Sequence, residues 1–391
     1  MSVPAPKIML VAGEPSGDLL GAPLMRALRK IAPEVEYVGI GGPAMASEGL
    51  RSIVPFDDLS VMGLAEVLPR ALKLLGHIKA TASFAKKTQP LALITIDSPG
   101  FSFRLARRLR DESFKKIHFV APSVWAWRPG RARKIAPLYD HLLTLLPFEP
   151  PYFETEGLPA TFVGHPVLDR TTAGNGPAFR QRLGIAADRR VILVLPGSRQ
   201  SETSRLLPIF EAALRRCIET HPDVQAVVPT VPGVAAAVRT AVAAWPNNAI
   251  VVTDETDKAD AFACATAALA ASGTVALELA LAKVPMVIAY NVNALTAFIA
   301  RRLVKTRYVS LVNILLQREA VPELLLERCR PDLIAMELDR LLDDPANAAT
   351  QVAAFEAAIA MLASPDGSPS SMAARVVAQV AGLSGNDRAT A

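Results

Sequence analysis

Residues 267–291 read AALAASGTVALELALAKVPMVIAYN, and the alternation inside this stretch decides the fold class. An apolar run, Ala267–Ala271, stops at Ser272-Gly273-Thr274. A helix-spaced pattern follows, then Pro285 and a second apolar run, Met286–Tyr290. Strand, small-residue turn, helix and strand form the repeating unit of a parallel α/β sheet. Gly273 lets a ligand approach the backbone, and the helix start offers unpaired N–H groups to an anion. Thr274 and Glu278 stand four residues apart on one helix face. The stretch therefore predicts a phosphate on Ser272–Thr274 with Glu278 within reach of a sugar hydroxyl. An ordinary βα turn with an exposed Glu fits the same residues.

Outward from this stretch the unit recurs. Apolar runs at Lys7–Gly13, Val35–Ile40, Leu91–Asp97, Lys116–Pro122 and His141–Pro147 alternate with helical patterns. A second series comprises Val191–Leu195, Val224–Val228, Ala249–Thr253, Ala267–Ala271 and Met286–Tyr290. Between them the Gly-, Thr- and Arg-rich segment 164–190 reads as a connection. The expectation is an α/β chain of two doubly wound domains, 1–168 and 185–365, facing a central cleft. Residues 169–184 form the linker, and 366–391 a C-terminal helix with a frayed tail. Ligands of such sheets sit beyond the carboxyl ends of the strands. Gly and polar residues gather at those ends: Gly13–Asp18, Gly39–Gly42, Asp97-Ser98, Pro196–Arg199 and Ser272–Thr274.

Length and composition bound the rest. The 391 residues allow two or three domains with cores of their own. A net charge of +5 and a pI near 9.2 suit an anionic substrate or membrane surface, and no nucleic-acid partner is expected. Cys217, Cys264 and Cys329 lack metal spacing and read as buried thiols of a reduced, cytoplasmic protein. The start MSVPAPKIMLVAG has no signal core, and the uncharged run 261–277 falls short of a spanning length, so membrane contact is expected to be peripheral.

Several constellations can carry chemistry. Ser198 and Arg199 follow a strand at a helix start, and Arg suits bidentate phosphate contact; a surface Arg at a turn is the plain alternative. Glu14, Asp18 and Asp97 are carboxylates at strand ends, where partial burial equips Asp97 to act as a base; helix capping is the alternative for each. In Pro122–Pro129 two of the three tryptophans, Trp125 and Trp127, accompany Arg128, with Arg131 and Arg133 just beyond. That mixture reads as a substrate-site loop or as a packed aromatic turn. Residues 56–79 are apolar with interspersed Arg70, Lys73 and Lys79, and suit a bilayer interface, an acyl-chain surface or a buried amphipathic helix. Arg104, Arg107, Arg108 and Arg110, with Arg301, Arg302, Lys305 and Arg307, suit anionic lipid or plain solvated faces. The histidines show no metal spacing; His165, near the domain junction, is the one of interest.

Taken in order, AGEPSGDLLGA (12–22), GIGGPAMASEGL (39–50), VMGLAEVLP (61–69), IDSPGF (96–101), PSVWAWRPGRARKI (122–135), LPFEPPYF (146–153), FVGHPVLD (162–169), LPGSRQSE (195–202), ASGTVALELALAKVPMVIAY (271–290) and RLVKTRYVSLVNIL (302–315) resemble the lipid-A-disaccharide synthases, inverting glycosyltransferases of GT-B type with two Rossmann-like domains. The resemblance implies that the 6-hydroxyl of 2,3-diacylglucosamine 1-phosphate (lipid X) attacks the anomeric carbon of UDP-2,3-diacylglucosamine, giving a β(1→6) disaccharide 1-phosphate and UDP without a metal or other cofactor. It implies that Arg199, Ser198 and Ser272–Thr274 hold the diphosphate and Glu278 the ribose. Tyr308, Ser310 and Asn313 would line the donor site, and Trp125 and Arg128 would touch substrate. Asp97 would be the base, with Glu14, Ser16, Gly17 and Asp18 across the cleft. A homodimer attached peripherally to the inner face of the cytoplasmic membrane is implied too. Two positions depart from the pattern: Gly100 stands where many relatives carry a second acid, and Val312 where they carry Pro. A UDP-sugar 2-epimerase and a nucleotide-sugar-binding scaffold without turnover are the competing readings. Neither needs an acceptor, and the apolar 56–79 stretch counts mildly against the epimerase.

Overall fold

The computed structural model describes residues 5–59, 67–169, 173–293 and 306–383. The chain divides into two compact units, one of residues 1–169 with 362–391 and the other of residues 170–361.

The first unit is built on seven parallel strands, β1 (Lys7–Ala12), β2 (Glu36–Ile40), β3 (Arg51–Ser52), β4 (Ala92–Ile96), β5 (Lys115–Phe119), β6 (His141–Thr144) and β7 (Ala160–Phe162), in the order β3-β2-β1-β4-β5-β6-β7. The second holds six, β8 (Arg190–Leu195), β9 (Val224–Pro229), β10 (Ile250–Val252), β11 (Ala267–Ala270), β12 (Met286–Tyr290) and β13 (Glu323–Leu325), in the order β10-β9-β8-β11-β12-β13. Both are doubly wound parallel sheets, and in each the strand order reverses beside its first strand. Central strands are apolar on both faces because helices cover both; Ile8 to Ala12 and Val191 to Val194 are essentially sealed from solvent. Register aligns the strand ends. Ala12 pairs with Ile96 and Ile96 with Phe119 in one unit; Leu195 pairs with Ala270 and Ala270 with Ile288 in the other.

The helices used below are α1 (Pro15–Ile31), α2 (Pro43–Ser47), α3 (Val67–Thr88), α4 (Pro99–Arg108) and α5 (Arg131–Ile135) in the first unit. Pro at the first turn starts α1, α2 and α4, where its missing N–H costs nothing. The terminal helix Pro369–Ala381 returns to the first unit and buries Ala373, Ala374 and Val377 in the same core as Leu24 and Met25 of α1. Within the expected linker 169–184 the chain forms a helix, Gly176–Leu183, capped by Asn175 and ended at left-handed Gly184. Phe179 anchors that helix in the second unit with no exposed surface.

Candidate active site

In the first unit the turns after β1 and β4 interlock. A Cβ on Gly13 would meet Ser98 Oγ at 2.6 Å, and one on Gly17 would meet the Ile96 carbonyl at 3.2 Å. Asp97 and Ser98 are both left-handed, with φ of 50° and 46°, and Val120, one residue past β5, has φ 81°. Consecutive non-glycine residues in this region, and a β-branched one beside them, are strained backbone that surrounding contacts must hold. The Asp97 N–H donates to the Phe119 carbonyl at 2.9 Å, and Ser102 Oγ donates to the Asp97 carbonyl at 2.7 Å. Its half-buried carboxylate accepts from Ser16 Oγ at 3.3 Å through Oδ2. Oδ1 takes no protein hydrogen bond among the described residues, so this carboxylate can accept a proton from outside.

Glu14 is the half-buried N-cap of α1, and its side chain makes no capping bond. Asp18 departs from the catalytic expectation. It is buried, and its Oδ1 accepts from the N–H groups of Gly42 and Met45 while Oδ2 accepts from that of Ala44. Both oxygens are thus engaged in holding the start of α2, the work of a helix cap supplied from another element.

The loop after β5 is pinned by a residue that the sequence reading passed over. Glu149 Oε2 accepts from the N–H of Leu145 at 3.1 Å and of Leu146 at 3.0 Å, and Oε1 from Trp125 Nε1 at 3.1 Å. Burial pushes this carboxyl up to about 7 against the lowering effect of those bonds. Trp125 also meets Phe148 edge-on at 5.3 Å. Its neighbour Trp127 is 37% exposed and carries the Arg128 guanidinium 4.5 Å above its ring. A Pro-flanked Glu in an apolar run was the available signal. His165 is buried and its Nδ1 accepts from the Val167 N–H, a local structural role. His118, not singled out, hydrogen-bonds Thr95 in the core, and burial depresses it to about 3.

In the second unit the turn after β8 is organised by Glu202, again unpredicted. Its Oε2 accepts from the N–H groups of Ser198 and Arg199 at 3.3 and 3.4 Å. Its Oε1 accepts from Arg199 Nη1 at 3.0 Å and Tyr290 Oη at 3.2 Å. The spacing Arg199-x-x-Glu202 at a helix start was the missed signal. Gly197 has φ 102°, and a Cβ there would strike Glu202. Across the same switch point Ser272 Oγ donates to the Val309 carbonyl at 3.4 Å. Gly273 has φ 138°, and a Cβ there would meet nothing within 4 Å, which is room for a ligand against the backbone. Thr274 is exposed; Glu278, one turn on, pairs with Lys258 at 2.7 Å.

Around Tyr308 the picture differs from expectation. Tyr308 itself is half-buried. Asn313 is fully buried and uses all its bonding capacity internally: Nδ2 donates to the Val321 carbonyl and Glu323 Oε1, and Oδ1 accepts from the N–H groups of Ala320 and Val321. It shapes the loop rather than facing a substrate. Glu323, a third missed carboxylate, also accepts from the N–H groups of Val309 and Ser310, and burial raises its pKa. The Ser310 side chain is buried with Oγ unpartnered among the described residues. Residues 60–66 of the apolar stretch, and Arg301, Arg302 and Lys305, lie outside the described residues.

Comparison of the sequence with known proteins matches the chain to one family. The lipid-A-disaccharide synthetase family model aligns with residues 8–375. The lipid-A-disaccharide synthase of Rhodospirillum centenum is 53% identical over 377 residues, 95% of this chain and 94% of that protein. That of Ruegeria pomeroyi is 50% identical over 87% of each. Among solved structures, the UDP-GlcNAc 2-epimerase of Neisseria meningitidis bound to UDP-GlcNAc superposes with TM-score 0.63 at 12% identity, covering 95% of this chain and 98% of that one. The kitacinnamycin glycosyltransferase does so with TM-score 0.62 at 17% identity, covering 97% and 100%. At such identities the structures establish the GT-B-type fold alone, so the activity follows from the sequence relatives: the chain is a glycosyltransferase and belongs to the lipid-A-disaccharide synthase family.

Proposed function

We propose that this protein joins UDP-2,3-diacylglucosamine to the 6-hydroxyl of 2,3-diacylglucosamine 1-phosphate, with inversion at the anomeric carbon. The observation that carries the mechanism is the Asp97 carboxylate, held on a strained turn at a switch point with one oxygen taking no hydrogen bond among the described residues. Asp97 takes the proton of the 6-hydroxyl as its oxygen bonds to C1. The bond from C1 to the UDP oxygen breaks on the opposite face, and UDP departs as an anion. Arg199 and the open Ser272–Thr274 turn meet the diphosphate charge, and Glu278 the ribose. Glu14 and Ser16 flank the base.

The amphiphilic substrates call for contact with a bilayer. Among the described residues no helix is long and apolar enough to cross a membrane. On α3, Leu72 is 75% exposed and Leu75 also faces solvent, with Lys79 one turn beyond on the same stripe. Such a face suits peripheral attachment at the inner surface of the cytoplasmic membrane. A homodimer belongs to the same reading, and sedimentation equilibrium tests it.

UDP release and product mass, measured with UDP-2,3-diacylglucosamine with and without the acceptor, test the activity. Acceptor-dependent release with a tetra-acylated disaccharide monophosphate is the expected result. Release that ignores the acceptor indicates hydrolysis or epimerase-type chemistry. UDP binding without turnover indicates the scaffold.

A further inference from the structure

The loop after β5 and the start of α5 carry two guanidiniums without a counter-ion among the described residues. Arg128 and Arg131 have no carboxylate partner among the described residues, whereas Arg26 and Arg29 of the same unit are paired with Glu48. Each instead lies over an aromatic ring: Arg128 over Trp127 at 4.5 Å, and Arg131 over Phe103 at 5.4 Å. Arg131 is half-buried, and its pKa is lowered first by that burial and then by the positive charge of Arg128. Two like charges, one partly desolvated, cost free energy where they stand. The backbone adds to this, since Arg128 is left-handed at φ 54°. The arrangement is nevertheless held firmly. Trp125, three residues earlier, is bonded to buried Glu149, and a Cβ on Gly130 would meet nothing within 4 Å, so the space beside the loop is open. Phe103, which supports Arg131, lies one turn into α4, the helix that starts at Ser98 beside Asp97.

We propose that Arg128 and Arg131 form the receptor for a phosphate monoester dianion, the phosphate of the acceptor sugar. A dianion cancels the repulsion between the two groups and can accept from both planar forks at once. The aromatic rings hold the guanidiniums in place without neutralising them. The assignment rests on the transferase reading for the identity of the acceptor, but not for the anion site itself.

The test is the preference of the enzyme for 2,3-diacylglucosamine 1-phosphate over the same acceptor with a free 1-hydroxyl, as a ratio of kcat/KM values. In Arg131→Gln and in Arg128→Gln this preference is expected to fall about ten- to hundredfold, and Arg131→Lys should retain most of it. UDP affinity, read by titration, should be unchanged and so reports folding. An equal loss toward both acceptors, or an unchanged preference, overturns the proposal. Flotation with phosphatidylglycerol vesicles separates substrate phosphate from lipid headgroup: vesicle binding lost in Arg131→Gln while the preference persists also overturns it. If the wild type transfers to neither acceptor, the transferase reading fails by itself. The anion site is then judged by calorimetry with glucosamine 1-phosphate, where saturable binding lost in Arg131→Gln sustains it and no binding to the wild type refutes it.

Discussion

At the first switch point the aligned strand ends Ala12, Ile96 and Phe119 run directly into Gly13, Asp97 and Val120. At the second, Leu195 and Ala270 run into Pro196 and Ala271. The strand order is the same over six strands, the first sheet adding a seventh at its edge, and the finish is opposite. The first is tight: two turns in contact, three strained non-glycine residues and a carboxylate with one oxygen unbonded among the described residues. The second is open at Gly273, and its charges are already matched, Arg199 with Glu202 and Glu278 with Lys258. Tightness suits a group that must aim at one proton. Openness suits a loop that receives a flexible diphosphate and exchanges internal ion pairs for ligand contacts.

The sharpest break in this comparison is Asp97→Asn. Removing the proposed base while keeping the shape should lower turnover about 10²- to 10⁴-fold and leave UDP affinity, which the proposal assigns to the other unit, within twofold of wild type by titration calorimetry. Normal turnover in this variant would remove the catalytic half of the comparison. Asn313→Ala should act on stability instead. It strands the buried N–H and carbonyl of Val321 and strips a donor from Glu323, while the half-buried Ala320 N–H keeps the Arg318 carbonyl. The cost is roughly 3 kcal/mol or more, at about 1–3 kcal/mol per orphaned group, and urea unfolding measures it. A fully stable variant with a raised donor KM would instead return Asn313 to the substrate.

Glu149→Gln sharpens the contrast through pH. Burial raises this carboxyl from 4.5 to about 7, so between those values the folded protein binds a proton that the unfolded chain has released. The contribution of Glu149 to wild-type stability therefore falls as pH rises through 4.5 to 7, by roughly 3 kcal/mol in all. The variant lacks this dependence. His118, which burial holds near 3, destabilises both proteins alike on acidification and cancels in their difference. The free energy of unfolding of wild type minus variant should thus drop between pH 5 and pH 8. A difference independent of pH would show that the carboxyl is not protonated in the fold.

These cases also show what a linear sequence can carry. Strands covered on both faces read as apolar runs, so the central strands and the polar residues capping them were legible, Ser272–Thr274 foremost. The edge strands Arg51–Ser52, Ala160–Phe162 and Glu323–Leu325 were not, because two or three residues make no run. Asp18, a candidate catalytic carboxylate, and Asn313, which the resemblance puts at the donor site, are polar residues in motif-like surroundings. Asp18 spends its oxygens on N–H groups 24 to 27 positions away, a distance over which no local pattern reports. Glu202 was legible from helix-start spacing, whereas the unpaired state of Arg131 depends on which acids the fold leaves out.

The smallest effects come from two glycines, and they probe the comparison most directly. In Gly13→Ala the new methyl meets Ser98 Oγ at 2.6 Å, so the variant overpacks the tight turn at a cost of about 1–3 kcal/mol. In Gly273→Ala the methyl enters open space, but φ 138° is foreign to an L-residue, and strain of about 1–3 kcal/mol follows by a different route. Thermal unfolding should hardly distinguish the two. Kinetics should: displacing Ser98 moves its neighbour Asp97, so Gly13→Ala lowers kcat and leaves the donor KM near wild type. Gly273→Ala reshapes the surface proposed to receive the diphosphate, so the donor KM should rise while kcat at saturation changes little. If the two patterns were exchanged, the tight switch point would be the donor site and the open one the seat of proton transfer, because each substitution acts only at the switch point that contains it.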